Sequence, residues 1–384
     1  MAQSILLTGA TGALGPHILA ELLHSETVER VFVVVRPAAE HDPRQRLRDS
    51  LRRLAAGTGQ PWPSRTEDRL ITIAGDVRRD DLALDPQLAN QVMREVDVVV
   101  HAAANTRFTA PEADLYDVNT VGTWRVLRLA SRFRRLRQVL IVSTACVAGT
   151  RCGEIRERID DDAPDFVNAY ERTKWQAERL AVATDLPIRI ARLSTCIGDG
   201  RTGYVHRFGA IHYALRWFMR GLIPMVPAAD GACVDVIPTD VAARWLVRAA
   251  AQSVERLEVC HLAAGHGAIP IEELLEFVAQ HLCATDPEWG RRQIEIPALV
   301  DSATFEAFER TALQSGDPVF RRVLESVRSF LPGLLHPKVY QTTQAAACWG
   351  GPLPLGDWRL TMAKVIDGAS PRRRTLVGGE VAHA

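Results

Sequence analysis

Lysine is nearly missing from this chain of 384 residues. Among 46 basic side chains only Lys174, Lys338 and Lys364 are lysines. A lysine kept in so arginine-rich a chain invites a reason for being there. The seven cysteines (146, 152, 196, 233, 260, 283 and 348) form no CxxC pair and no zinc-ligand spacing. That excludes thioredoxin-like redox chemistry and a zinc ribbon, and it reads as reduced, buried thiols in a cytoplasmic protein. Net charge is absent too, since 46 acidic residues balance the basic ones. No global field therefore favours nucleic acid or an anionic membrane. No apolar run approaches the roughly 18 residues of a membrane span. The start of the chain passes at once into Ser4-Ile-Leu-Leu-Thr8, a strand, without the charged start and long apolar core of a secretory leader. No repeat of 20–50 residues is visible.

The first 200 residues alternate short apolar, β-branched runs with helical stretches. Strands are expected at 4–8, 31–35, 70–73, 97–101, 138–143 and 188–192, and helices at 13–24, 87–94, 113–134 and 168–184. This rhythm predicts an α/β fold, a Rossmann-type doubly wound parallel sheet with helices on both faces. An arginine-rich helical stretch near 43–55 contains Asp49-Ser50-Leu51. That triad could be taken for a carrier-protein attachment site, but it sits inside the first βαβ repeat with too few residues around it for a carrier bundle. After residue 200 come an apolar, aromatic helix-like stretch at 204–222, a strand-like 233–237, a helix from Asp240 and a strand at 257–262. Proline-broken helices follow. The expected division is a dinucleotide-binding domain over 1–200 with a late return near 233–265. A smaller, mainly helical substrate-binding region covers 201–366, and a disordered tail covers 367–384.

Thr8-Gly9-Ala10-Thr11-Gly12-Ala13-Leu14-Gly15 follows the first strand and opens a helix. In such a loop Gly9 allows the tight turn and Gly12 lets N–H groups approach a pyrophosphate. Gly15 lets the helix pack closely on the sheet, and the helix N-terminus favours the anion. Thr11, Ala13 and Leu14 belong to the same candidate cofactor surface. NAD-selective sites carry an acidic residue after the second strand for the ribose 2′-hydroxyl. Here Val33-Val34-Val35 ends in Arg36, a cation suited to a 2′-phosphate and hence to NADPH, although a merely solvated arginine fits as well. Asp76 and Val77, after the third strand, are placed to meet an adenine, and a plain helix cap is the competing reading of Asp76. Ala102, Ala103 and Ala104, after the fourth strand, are small enough to let backbone lie against a cofactor.

Tyr170 and Lys174 are four apart on an expected helix and so share a face. A nearby ammonium stabilises a phenolate, so the pair suits a phenol that donates a proton to, or hydrogen-bonds, the oxyanion made when hydride reaches a carbonyl. Ser143 and Thr144 end a strand upstream and offer a further donor.

Together these residues resemble the extended short-chain dehydrogenase/reductase family over about residues 4–265. Several strings are similar to its thioester reductase and fatty acyl-CoA reductase branch: Ala103-Ala-Asn-Thr-Arg-Phe108, Asn119-Thr-Val-Gly-Thr123, Asn168-Ala-Tyr-Glu-Arg-Thr-Lys-Trp175, Gly198-Asp-Gly-Arg-Thr-Gly203 and Val234-Asp-Val-Ile-Pro-Thr-Asp240. The resemblance implies catalytic roles for Thr144, Tyr170 and Lys174, with Tyr170 and Lys174 also touching the cofactor, and with Asn119 supporting a proton relay. The sixth strand ends Arg192-Leu193, where the family usually has Arg-Pro. The implied reaction is NADPH-dependent reduction of an acyl thioester to an aldehyde, with a second round giving an alcohol. No adenylation or carrier domain fits in the chain, so the thioester would arrive on coenzyme A or a separate carrier protein. Phe208 and Trp217 could wall the acyl site, though ordinary core packing is an equal reading. The same catalytic group would serve a sugar-nucleotide epimerase or dehydratase, or a ketone reductase. A non-catalytic NADP-binding regulator would keep the glycine loop but would not need a complete Tyr–Lys pair.

Overall fold

The computed structural model describes residues 3–38, 41–61, 66–327 and 331–369. Seven strands make the central sheet: β1 Gln3–Thr8, β2 Val28–Val35, β3 Leu70–Ala74, β4 Val98–His101, β5 Gln138–Thr144, β6 Ile188–Leu193 and β7 Leu257–Leu262. Every pairing is parallel and the order is β7-β6-β5-β4-β1-β2-β3. The expected doubly wound sheet is what the chain adopts. Its strands read as near-continuous apolar runs because helices cover both faces. Ile5, Leu7, Val31 and Val33 pack on one side with Ile18, Trp245 and Leu246. Leu6, Phe32, Val34 and Val99 pack on the other with Val126 and Leu127.

Helices α1 (Gly15–His24), α2 (Pro43–Thr58) and α3 (Pro86–Glu95) complete the first crossovers. Both α2 and α3 start at an Asp-Pro pair, whose carboxylate accepts two backbone N–H groups while proline fixes the first helical φ. The next helical stretch, α4 over 112–130, contains a π turn at Tyr116–Val121. Helices α5 (Ala169–Val182), α6 (Ala210–Met219) and α7 (Thr239–Ala250) follow.

A separate apolar cluster gathers the chain after β6. Ile211, Leu215 and Phe218 of α6 meet Leu274, Val278, Trp289, Phe305, Leu324 and Met362 there. Two expectations in this part are corrected. Only 210–219 of the aromatic stretch is helical. Residues 204–209 form a loop, because Gly203 turns the backbone at φ +73 and packs against Lys364. The strand at 233–237 is two short pairings, Cys233–Val234 with Ile269–Pro270 and Val236–Ile237 with Thr195–Cys196. They part at Asp235, whose carboxylate accepts the N–H groups of Ala264 and Gly265. Of the expected tail, 367–369 ends the helix Trp358–Ala369, and 370–384 lies outside the described residues. Among the described residues no helix is long and apolar enough to cross a membrane.

Candidate active site

The strand order reverses between β1 and β4, where open α/β sheets bind ligands at the strands' carboxyl ends. The glycine loop lines that crevice. Gly9 has φ +80, and a Cβ there would come within 2.5 Å of the Ala102 and Ala103 backbone. A Cβ on Gly15 would come within 2.1 Å of the Gly9 carbonyl oxygen. Gly12 donates its N–H to that same carbonyl at 2.9 Å. Helix α1 has Leu14 at its N-cap, so no side chain caps it, and it has no acidic residue in its first turn. Its orphan N–H groups therefore fit a pyrophosphate. Thr11, Gly12 and Leu14 are half-buried and Ala13 is exposed, so the loop is accessible from the crevice.

The loop 102–108 is fixed from below. His101 is buried and neutral, pulled down to about 3 by burial and by the charge of Lys174. It links Thr8 (2.7 Å) to Thr123 (3.1 Å) and so ties β1, β4 and α4 together. Asn119, in the π turn, is wholly buried. Its Oδ1 accepts the Asn105 N–H at 2.8 Å, and its Nδ2 donates to the Asn105 carbonyl and to Thr173 Oγ1. With both ends of the amide engaged, Asn119 clamps the 102–108 loop to α5.

Thr144 ends β5 and caps the following turn by accepting the Cys146 N–H at 3.2 Å. Its hydroxyl is near Tyr170 and works to lower that phenol's pKa, and Tyr170 is buried against the edge of Phe108 at 5.0 Å between ring centres. Burial pushes the phenol well above its ordinary value, reinforced by Cys146 and Glu171 and opposed by Thr144. Tyr170 is thus held protonated; the expected depression by a neighbouring ammonium is not seen, and Thr144 alone among the named groups works against burial. Lys174 is 2% exposed, donates to the Val142 carbonyl at 2.9 Å and is pulled down to about 8 by burial, with Glu178 opposing. Cys146 and Cys196 flank the phenol, and burial pushes their thiols up to about 11 and about 12. Neither is a thiolate at neutral pH.

Beneath this group Ser143 and Arg192 meet two residues, Glu178 and His261, that no sequence motif singled out. Glu178, one turn beyond Lys174, accepts Ser143 Oγ at 2.6 Å and forms a forked pair with Arg192. Arg192 continues to His261 Nε2 at 3.3 Å. The available signals were an i, i+4, i+8 face running Tyr170, Lys174, Glu178, and a charged residue inside the apolar β6.

At the other end of the crevice Arg36 is exposed at the tip of β2, and its carbonyl accepts a hydrogen bond from Arg46. Asp76 is forked to Arg78, with 2.7 Å from Nη2 to Oδ2. Burial works against its ionisation, but Arg78 outweighs that and holds the carboxyl below its ordinary range. Val77 turns its side chain into the core and leaves only backbone to the crevice. Phe208 and Trp217 have different surroundings. Phe208 stacks on His212 at 5.3 Å, and His212 bonds the carbonyl of Ile197, next to Cys196. Trp217 lines a cavity of about 340 Å³ with Leu222, Pro318, Val319, Arg220 and Arg322.

A glycine loop at the switch point of a parallel sheet, with Thr, Tyr and Lys at the carboxyl end of β5 and on α5, defines an extended short-chain dehydrogenase/reductase, a class of NAD(P)-dependent reductases. The chain belongs to the male sterility protein family of NAD-binding domains, matched over residues 7–246. It is 29% identical over 255 residues, 64% of its length, to a linear gramicidin synthase subunit of Brevibacillus parabrevis, of which it covers 5%. It is 24% identical over 283 residues, 65% of its length, to fatty acyl-CoA reductase 1 of Gallus gallus, of which it covers 54%. The chain thus spans about half or much less of these relatives' lengths. Among solved structures, the terminal R domain of the myxalamid PKS-NRPS pathway superposes with a TM-score of 0.78 at 23% identity, over 97% of this chain and 92% of that one.

Proposed function

We propose that this chain reduces an acyl thioester with NADPH, releasing a thiol and an aldehyde, and that a second round can give the alcohol. The observation that carries the reading is Tyr170, buried in the first turn of α5 beside Thr144 at the carboxyl end of β5, where burial pushes its phenol and the thiols of Cys146 and Cys196 upward. A reductase must give a proton to the oxygen that becomes an alkoxide, and a phenol kept protonated does that. A mechanism through an acyl-cysteine would need a thiolate instead, and burial denies one to Cys146 and Cys196.

The nicotinamide would supply the hydride to the thioester carbon. Thr144 donates a hydrogen bond to the carbonyl oxygen as its charge develops, and Tyr170 transfers its proton there, giving a hemithioacetal. Its collapse breaks the C–S bond, the thiol leaves and an aldehyde remains. Lys174, in its ammonium form, stabilises the phenolate left on Tyr170 until a proton returns. The names of the relatives, gramicidin synthase and fatty acyl-CoA reductase, favour a thioester on a carrier protein or on coenzyme A. Preference for NADPH rests on Arg36.

The test is to incubate purified protein with NADPH and a series of acyl thioesters and to titrate free thiol. Stoichiometric thiol with NADPH consumption is the expected result. Consumption with a ketone, or turnover of a nucleotide sugar, without thiol from any thioester would replace this reading.

A further inference from the structure

We propose that the loop 203–209 reaches back across the first crossover and sets Arg207 into one phosphate-binding group with Arg36, Arg46 and Arg53. Its ligand is a phosphate monoester on a nucleoside, the 2′-phosphate of the dinucleotide. The inference rests on the NADPH reading and adds to it a contact from the substrate side of the molecule.

The loop is seated on α2 by three side chains. His206 Nε2 bonds Ser50 Oγ at 3.0 Å, and Ser50 is fully buried. Tyr204 OH bonds His206 Nδ1 at 3.1 Å. The Tyr204 ring lies so close to Gly57 that a Cβ there would fall 2.0 Å from it. Positions 46, 50, 53 and 57 recur at i, i+4, i+7 and i+11, so Arg46 and Arg53 share the face of α2 on which the loop rests. Arg46 in turn holds the carbonyl of Arg36 at the end of β2.

Four guanidinium groups are gathered in this way, and among the described residues none of them pairs with a carboxylate. Desolvation, then Arg53, Arg46 and Arg36, hold the Arg207 guanidinium below its ordinary range. His206 is kept neutral by burial and by Arg53 and Arg207, down to about 3, so it serves as a spacer rather than a further cation. A dianion placed among the four would relieve their mutual repulsion and meet planar donors suited to its oxygens. Ser50 and His206 are positioning residues in this arrangement. Arg207 also directly precedes Phe208 and α6, so phosphate binding would order the entry to the substrate-side helices.

The test is calorimetry on the purified chain with 2′,5′-ADP, 3′,5′-ADP and 5′-AMP, which needs no turnover. The wild type is expected to prefer 2′,5′-ADP to 5′-AMP by at least about tenfold. Arg207→Gln should cut that preference about tenfold while leaving 5′-AMP affinity unchanged. His206→Ala should cut it less, and Arg36→Gln serves as the positive control. A wild type without the preference overturns the NADPH reading and this inference together. A preference fully retained in Arg207→Gln overturns this inference alone. An equal loss for 3′,5′-ADP would reassign the group to the 3′-phosphate of coenzyme A and overturn the 2′ assignment.

Discussion

At the Tyr170 end of the crevice Thr144, Tyr170, Lys174, Glu178 and Arg192 are buried, whereas at the Arg36 end Arg36, Arg53 and Arg207 are exposed and Arg46 is half-buried. Tyr170, Lys174 and Glu178 follow one another along one face of α5, with Lys174 bonded to the Val142 carbonyl and Glu178 to Ser143 and Arg192 in the sheet below. Arg36, Arg46, Arg53 and Arg207 instead come from three segments and touch mainly backbone or one another's field. The contrast follows from what each end has to do. Proton transfer depends on sub-ångström placement, which rigid burial secures. Recognition of a phosphate depends on charge and on forked donors, and it tolerates flexible side chains. Substitutions should therefore affect stability and turnover at one end, and ligand selectivity at the other.

The sharpest break in that contrast is Glu178→Ala. It strands Arg192 in the core without its partner and takes the acceptor from Ser143. Breaking a buried pair in this way costs about 3–5 kcal/mol, to be read from denaturant melts. The double variant Glu178→Leu, Arg192→Met should cost much less, because no buried charge remains. If the single variant is as stable as the wild type, the buried pair does not support the site.

Next is Tyr170→Phe, expected to lower turnover by at least ~10²-fold, or about 2.7 kcal/mol on the barrier, with dinucleotide affinity little changed. The pH profile adds detail. Burial pulls Lys174 down to about 8, so its ammonium is present below that pH and lost above it. The kcat/KM of the wild type should therefore fall as pH rises through about 8. A profile flat to pH 9.5 would remove Lys174 from the charged role given to it.

The sheet was legible in the sequence because strands buried on both faces must be apolar throughout, and Val31–Val35 and Val98–Val100 are. The glycine loop was legible because Gly9 and Gly15 leave no room for a Cβ, so spacing encodes the turn directly. Glu178 was not, since a carboxylate on a helix reads as solvated until its partner 14 residues on is seen to be inside the sheet. The resemblance marked Asn119 but not its hold on the 102–108 loop. Its clamp on Asn105 depends on a π turn, which no residue pattern announces. Nor could sequence join Ser50 to His206, which are 156 residues apart. Asp49-Ser50-Leu51 sits in α2 with Ser50 buried, as the rejection of a carrier site there required.

At the exposed end, Arg36→Ala should narrow the gap between NADPH and NADH binding by about 1–3 kcal/mol, the range for charge-assisted hydrogen bonds. Stability should hardly change, since Arg36 is exposed and forms no described ion pair. Equal affinities for the two dinucleotides in the wild type would end the assignment and, with it, the contrast between the ends.

The smallest effect tests whether the rigidity of the catalytic end reaches the start of its helix. Asn168 caps α5 two residues before Tyr170: its Oδ1 accepts the Glu171 N–H at 3.0 Å and its Nδ2 donates to Glu171 Oε1 at 3.2 Å. Glu171 Oε2 reaches back to accept the Val167 N–H at 3.1 Å, which closes a variant of the capping box one residue further out. Asn168→Ala removes one half of that box and should cost about 1 kcal/mol, or about 2 °C in Tm for a chain of this size. Because the cap fixes the turn that carries Tyr170, turnover should fall with stability, while KM for the dinucleotide stays near the wild-type value. Asn168→Asp keeps an oxygen acceptor for the helix but places it beside the Glu171 carboxylate, which burial already pushes up to about 6. A second carboxylate there repels the first. The Asp variant should therefore recover more of the lost stability at pH 5, where Glu171 is mostly protonated, than at pH 8. Recovery that is equal at both pH values would mean that Glu171 does not share the box as its hydrogen bonds indicate.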